Sequence, residues 1–308
     1  MRHVLDEPGQ LRELDYDDLL TSDSTIRNYF YTIWNNIIQK TQLNISIDTA
    51  IEEVKDLVIY EALDGSRSTI ISGQSDIRGI EGALFAVNFI HVLRAMGAKT
   101  CLIMVHTSYN RARGEDEFKN ILSSVKTGAP FIKKYAMENN IHCSCICMNE
   151  KHECINLLKD VTESTKNGEF CAHFLFDYNE ECVNDEKWRN IIENLPDINV
   201  HIRHTKFQFS GGWIPGKMAR SVFLYSQNGT TYSHWETDEL VSMVVLALLA
   251  KLLHKDEMLD KIYTTTDEIS ERYELRELKL FNKVIQLRNN PKKLFIIGSP
   301  IGVYQFYY

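Results

Sequence analysis

Apolar side chains return at helical intervals early in the chain. After the cap-like Ser22-Asp23-Ser24 they fall at Ile26, Tyr29, Phe30, Ile33, Trp34, Ile37 and Ile38, which predicts an amphipathic helix. A second short helix near Asp48 to Lys55 leads into Leu57-Val58-Ile59-Tyr60-Glu61-Ala62-Leu63, a partly β-branched run that stops at Asp64-Gly65. From there the pattern alternates. Helix is predicted over about Ile77 to Met96, closed by Gly97, and strand over Thr100 to His106. Glu115 to Asn139 reads as helix weakened at Gly128-Ala129-Pro130, and Ile141 to Met148 as strand. Glu150 to Thr165 and Asp185 to Leu195 read as helices around a strand at Phe170 to Phe176, and strands follow at Asn199 to Ile202 and Ser221 to Ser226. Such alternation predicts an α/β fold: a mostly parallel, six-stranded central sheet with helices on both faces. An apolar helix from about Thr237 to Leu253, a charged helical stretch from about Thr266 to Arg288 and two strand-like runs, Leu294 to Ile297 and Val303 to Tyr307, complete the chain. With no repeat and no low-complexity linker, a single domain over 1–308 is expected, its core at about 57–253, with an N-terminal helical extension (11–55) and a C-terminal extension (254–308).

Composition narrows the functional classes. The net charge of −8 over 308 residues argues against general nucleic-acid binding, so an anionic ligand would need a local arginine cluster. The longest apolar run, Val241 to Leu253, contains Lys251 and is too short to span a bilayer, and the N-terminus has no apolar signal core. Seven cysteines show no metal-type pairing; Cys143, Cys145 and Cys147 alternate along one strand and read as reduced core thiols, which makes the cytoplasm the expected location. The all-round apolarity of the Thr237 helix suits burial within the fold or at a subunit interface, and a homodimer is expected through it.

Candidate chemistry gathers where strands end. In a parallel sheet the carboxyl ends meet ligands, and four of them carry polar groups: Asp64/Arg67, Asn110/Arg111, Asp177 and Arg203/Lys206. At the first, Gly65 allows close backbone approach, Ser66 offers a hydroxyl and Arg67 a bidentate phosphate clamp. Asp64 is the odd member, since a carboxylate beside a phosphate site repels its ligand unless a metal intervenes or the acid joins the chemistry. The plain alternative is that Asp64-Gly65 is only a turn. No phosphate-cradling glycine loop, dinucleotide fingerprint or Gly-x-Ser-x-Gly elbow is present. His201 and His204, and the acidic Asp15-Tyr16-Asp17-Asp18, read as incidental rather than metal-binding.

Ordered along Leu57 to Leu253, these stretches resemble the cis-prenyltransferases. That family's Asp-Gly-Asn-Gly-Arg-Trp is similar to Asp64-Gly65-Ser66-Arg67-Ser68-Thr69, its Gly-His-Lys-Ala-Gly to Gly79-Ile80-Glu81-Gly82-Ala83, and its Phe-Ser-x-Glu-Asn-Trp to His106-Thr107-Ser108-Tyr109-Asn110-Arg111. Its Ile-Arg-Thr-Gly-Gly-Glu-x-Arg-Ile-Ser block, running on to Phe-Leu-Pro, falls on Ile202-Arg203 through Gly211 and Trp213-Ile214-Pro215. The departures concern the second substrate. Phe209 and Gly211 stand where elongating members place an arginine and a serine for isopentenyl diphosphate, and Val222 stands where they place a glutamate. This selective loss, together with Arg113-Gly114-Glu115 and the tail Arg288 to Gly298, resembles the tuberculosinol synthase branch, although Arg78 and Glu117 stand where that branch carries tyrosines.

The resemblance implies a terpene synthase that ionises one prenyl diphosphate, of about C15–C20 and linear or bicyclic, without chain elongation. It implies Asp64 and Asn110 as catalytic residues, Gly65, Ser66, Arg67, Arg78, Arg111 and Arg203 as diphosphate ligands, and Mg²⁺ at Asp64. The expected partner is the prenyl diphosphate itself, with no nucleic acid and no stable membrane insertion. Two alternatives stay open: a cis-prenyltransferase that condenses prenyl diphosphates by elongation or head-to-middle, and a non-catalytic partner subunit of such an enzyme.

Overall fold

The computed structural model describes residues 20–41, 45–63, 75–203, 212–219, 221–226, 236–254, 294–299 and 302–307. Helices α1 (Asp23–Thr41) and α2 (Ile47–Val54) precede strand β1 (Ile59–Ala62). There follow α3 (Ser75–Met96), β2 (Thr100–Met104), a 3-10 turn (Ser108–Arg113), α4 (Glu115–Glu138), β3 (Ile141–Cys147), α5 (Ile155–Thr165), β4 (Phe170–Phe176), α6 (Glu186–Glu193), β5 (Val200–Arg203), β6 (Val222–Ser226), α7 (Thr237–His254), β7 (Leu294–Ser299) and β8 (Gly302–Tyr307).

The six expected strands form a parallel array, and β7 and β8 extend it antiparallel, so the sheet has eight strands in the order β3-β4-β2-β1-β5-β6-β7-β8. β1 is the switch point: the chain leaves it for β2 on one side and later returns to β5 on the other. Strands buried on both faces need apolar neighbours above and below. Ile59, Cys101, Ile103 and Phe174 face the larger cluster under α1, α3, α4 and α7; Tyr60, Leu102, Met104 and Leu175 face a smaller one capped by Ile192 and Leu195 at α6 and by Ile214 and Met218.

The exposed edge at β3 is managed by side chains. The Cys143 amide donates to Thr165 Oγ1 at 2.9 Å and the Cys145 amide to Thr162 Oγ1 at 3.0 Å, so α5 occupies donors that would otherwise recruit another strand. All seven cysteines are free thiols, and burial pushes Cys145 up to about 12, as inert core thiols require.

Two expectations change here. Helix α4 runs unbroken through Pro130. Gly128 and Ala129 turn inward and Pro130 outward, so the carbonyl that loses its partner lies on the wet side. Helix α5 starts at Ile155 rather than near Glu150, because the Cys154 amide is taken by His152 Nδ1 at 3.0 Å in a turn ahead of it. The predicted helix at 266–288 lies outside the described residues.

α7 earns its apolarity inside the chain. Each residue from 240 to 249 is at most 2 % exposed, among α1, α2, α3 and the sheet. Its hydrophobicity therefore calls for no subunit partner, and the expected homodimer loses that motive.

Val222 also moves in meaning. It opens β6 opposite Val200, which opens β5, so it lies at the amino end of the strands and is 3 % exposed. The missing glutamate at this position thus says nothing about the carboxyl edge. Val222→Glu is expected to destabilise the protein by on the order of 3 kcal/mol or more, by burying a carboxylate among apolar neighbours. Urea unfolding measures it, and an unchanged midpoint would refute the placement.

Candidate active site at the carboxyl edge

The turn after β2 is pinned to the end of β4. Ser108 N–H donates to Tyr178 O at 2.8 Å and Tyr178 N–H to His106 O at 3.3 Å. Within the turn, Asn110 Oδ1 accepts from the Thr107 amide at 2.9 Å and the Thr107 hydroxyl at 3.0 Å. The side-chain oxygen of Asn110 thus shapes its own turn, and a ligand would meet its Nδ2 amide.

Arg111, from the same turn, reaches the end of β4. Its Nε donates to Asp177 Oδ2 at 2.7 Å and its Nη2 lies 2.6 Å from the same oxygen, while Nη2 also lies 3.3 Å from Glu153 Oε2 and the guanidinium stacks 4.2 Å over Phe118. Asn149 Nδ2 donates to Asp177 Oδ2 at 2.9 Å. Burial pushes the Asp177 carboxyl up, but the hydrogen bonds from Arg111 and Asn149 outweigh it and hold the group below the usual carboxylate range. Asp177 has a φ of 50°, in the left-handed region that Asp tolerates better than most residues. The carboxylate there is held by side chains from two segments, Arg111 of the turn after β2 and Asn149 beyond β3.

Behind this pair lie two buried imidazoles, His106 and His152, with centroids 5.2 Å apart and Nε2 to Nε2 at 3.1 Å. Cys154 N–H donates to His152 Nδ1, so His152 carries its proton on Nε2 and donates it to His106 Nε2. The remaining proton of His106 then belongs on Nδ1, 3.9 Å from Asp177 Oδ1, and the Asp177 amide, 3.3 Å from the same nitrogen, is a competing contact that a neutral pair cannot also satisfy.

Arg203 ends β5 at 2 % exposure, one position beyond the Glu61–Ile202 pair of β1 and β5. By alternation it shares the Tyr60 face with His201, whose ring lies against Tyr60 and Phe223, making His201 a core histidine. Asp64, Gly65, Ser66, Arg67, Lys206, His204 and Asp15 to Asp18 lie outside the described residues; Arg78 belongs to the first turns of α3, its side chain outside the description. The structure thus brings Asn110, Arg111, Asp177 and Arg203 to one edge, and β1 delivers Leu63, the residue before Asp64, to that edge as well. Sequence reasoning missed His106, Asn149, His152 and Glu153; the signal available was their place just beyond β2 and β3.

Beneath the edge, between α3, α4 and the sheet, opens an apolar cavity of ≈ 110 Å³, many times the room for one water. Small residues make the space, Gly82, Ala83 and Ala86 from α3 and Gly128 and Ala129 from α4, while Phe174 and Phe176 form its sheet wall. Leu63 and Val105 complete the rim.

Among solved structures, a lavandulyl diphosphate synthase from Lavandula x intermedia, in complex with dimethylallyl diphosphate, is 14 % identical with a TM-score of 0.51, covering 64 % of this chain and 96 % of that one. This protein has the cis-prenyltransferase fold. A probable undecaprenyl diphosphate synthase from Campylobacter jejuni, also 14 % identical, has a TM-score of 0.47 over 62 % of this chain and 93 % of its own. No family model and no curated protein matches the sequence. About a third of the chain lies beyond the match to each cis-prenyltransferase structure. No described helix is long and apolar enough to cross a membrane.

Among the described residues no group of three or more His, Cys, Asp or Glu side chains could hold a metal ion, and the edge carboxylates Asp177 and Glu153 are engaged by Arg111. Magnesium at Asp64 therefore rests on the sequence resemblance.

The imidazole pair gives a pH dependence. Burial, reinforced by His152 and Arg111 and opposed by Asp177 and the Thr107 backbone, lowers His106 to about 4. The unfolded chain binds that proton near pH 6.5, so the stability is present above 6.5 and is lost as pH falls toward 4, by up to roughly 3 kcal/mol. His173, lowered by burial to about 4, adds a similar slope. Urea midpoints measured from pH 7 to 4.5 are expected to fall, and to fall less steeply in His106→Gln; parallel profiles would contradict the assignment.

Proposed function

We propose that this protein acts on a prenyl diphosphate, and that it ionises a single one without adding an isoprene unit. One observation carries the reading: the polar edge and the apolar cavity meet within single peptide bonds. Leu63, Val105 and Phe176 line the cavity, and the residues that follow them are Asp64, His106 and Asp177. An amphiphile with a doubly charged head and a hydrocarbon tail suits such a boundary.

Arg203 and the cavity belong to opposite faces of the sheet, so a headgroup that meets both lies across the top of β1, where the Asp64 segment begins. Arg67, Arg203 and Arg78 would hold the diphosphate, with the N-terminus of α3 adding its amides. Arg111 would join them only by releasing Glu153, the more exposed of its two carboxylate partners. In the reaction the allylic C–O bond breaks heterolytically: both electrons leave with the diphosphate oxygen, and each cation facing it lowers the barrier by a few kcal/mol, about what one oxyanion donor supplies. The carbocation stays in the cavity beside Phe174 and Phe176, whose ring faces favour positive charge. Water, with loss of a proton, or a base that removes a proton then quenches it, directly or after the substrate's own double bond has closed a ring and carried the charge to a new carbon. Magnesium bound by Asp64 would add charge neutralisation on the leaving group. Phe209 and Gly211 support the non-elongating reading, because neither offers a charged donor to a second diphosphate.

Geranyl, farnesyl, geranylgeranyl and bicyclic diterpenyl diphosphates, each with and without Mg²⁺ and isopentenyl diphosphate, test this with products read by mass spectrometry. Diphosphate release from one substrate alone is expected. Asp64→Asn should lower turnover at least about a hundredfold with the fold intact, and Arg203→Ala should raise KM about tenfold by removing charge-assisted contacts. Isopentenyl incorporation would replace the non-elongating reading with the condensing one, and full activity in Asp64→Asn would remove that residue from the chemistry.

A further inference from the structure

The apolar cavity has a rim and a far end. Leu63, Val105 and Phe176 put the rim at the carboxyl edge, and α3 and α4 both run from that edge toward the amino ends of the strands. On α4 the lining follows one stripe, Ile121, Val125, Gly128 and Ile132, and the next residue on that stripe is Tyr135. Tyr135 is 1 % exposed, and its phenol oxygen lies 3.0 Å from Nδ1 of His91 on α3. Its side chain therefore crosses from α4 to α3 less than one helical turn (~4.5 Å) beyond Ile132, on the side away from the polar edge.

The phenol is aimed by a chain of hydrogen bonds. His91 Nε2 lies 2.8 Å from Thr21 O, and a carbonyl only accepts, so Nε2 carries the proton of the neutral ring and Nδ1 is left to accept from Tyr135. Burial pushes the Tyr135 phenol up to about 12, so it keeps its hydrogen and remains a donor. Thr21, just ahead of α1, is fastened in turn: its hydroxyl donates to Thr237 Oγ1 at 3.1 Å at the start of α7, and the Thr237 hydroxyl donates to Asn88 Oδ1 of α3 at 3.4 Å. Filling this space would take only a phenylalanine, with no polar atom to satisfy. A buried hydroxyl with a partner whose other nitrogen is already committed fixes the direction in which the ring points.

We propose that Tyr135 sets the depth of the cavity, its ring held across the α3–α4 cleft by His91 so that a hydrocarbon tail entering from the rim ends against it. Resting on the reading of the cavity as the tail's seat, this makes Tyr135 the residue that decides how long a tail is accepted.

The test measures depth on the full chain by calorimetry with n-alkanols from butanol to dodecanol, which need no anion seat. Each methylene that enters the cavity is expected to tighten binding about fourfold, up to a length beyond which affinity levels off. Tyr135→Ala should carry the rise on by about four further methylenes, a reach of ~5 Å or one turn of helix. Tyr135→Phe keeps the ring without its anchor, so the rise should continue past the wild-type length at a smaller gain per methylene. On the prenyl diphosphate the wild type turns over, Tyr135→Ala should shift preference, read as the ratio of kcat/KM values, to a substrate one isoprene unit longer. Alkanols that do not bind at all, or a length limit unchanged in Tyr135→Ala, would overturn the proposal. So would a limit that moves only in Ile90→Ala, where Ile90 is the buried residue next after Ala86 on the α3 stripe. A wild-type limit in Tyr135→Phe would overturn the part given to His91. Should Tyr135→Ala fail to fold, Tyr135→Leu carries the same expectation and the same refutation. If the limit moves as expected and no prenyl diphosphate is turned over, the functional reading fails while the depth assignment stands.

Discussion

Strand β1 hydrogen-bonds to β2 on one side and β5 on the other, and each of its residues, Ile59 to Ala62, is buried. A strand with both edges paired and both faces covered has no side on which to present chemistry. Its chemistry can only follow its last residue. The same constraint holds for β2 and β4, so Leu63, the Asn110 turn and Asp177 all emerge at one edge. The crossover that returns the chain to β5 places Arg203 beside them.

What keeps that edge in order is charge pairing across elements rather than packing. Asp177 sits in a backbone conformation that costs a non-glycine residue on the order of 1 kcal/mol, and the bonds from Arg111 and Asn149 offset it. The arginine that sequence comparison offers to the ligand is thus, in the structure, the clasp of the turn that carries Asn110. Both roles need a guanidinium fork, which is why residue type alone did not separate them.

The fold was largely legible because parallel strands buried on two faces read as short apolar runs, and amphipathic helices repeat every 3.6 residues; β1 to β6 fall within a residue or two of their expected ends. The pairing of β7 and β8 with β6 was not legible, since a strand's pattern says nothing about which edge it joins. Nor was the unbroken helix at Pro130, because the signal that weakens a helix is local while the reason for the small residues, a cavity, is tertiary. At the site, Asn110, Arg111, Asp177 and Arg203 could be placed by strand ends alone. His106 and His152 meet only through the fold, forty-six positions apart in sequence. Val222 shows the opposite failure: alignment gave it a place in the chemistry, and strand direction puts it at the far end of the sheet.

The cavity and the polar edge are two consequences of one geometric fact. Gly82, Ala83, Ala86, Gly128 and Ala129 leave the facing surfaces of α3 and α4 without bulk where they line the cavity, and the chain leaves β1, β2 and β4 at Leu63, Val105 and Phe176, which line it from the sheet side. Filling the gap with larger side chains would bury more apolar area and stabilise the protein, by about 25 cal/mol per Å². A chain that leaves it open forgoes that stabilisation just below Leu63, Val105 and Phe176, whose successors are polar. Core packing supplies no reason for a gap there, whereas an amphiphilic ligand with its charged end on the strand tips and its hydrocarbon end between the helices supplies one.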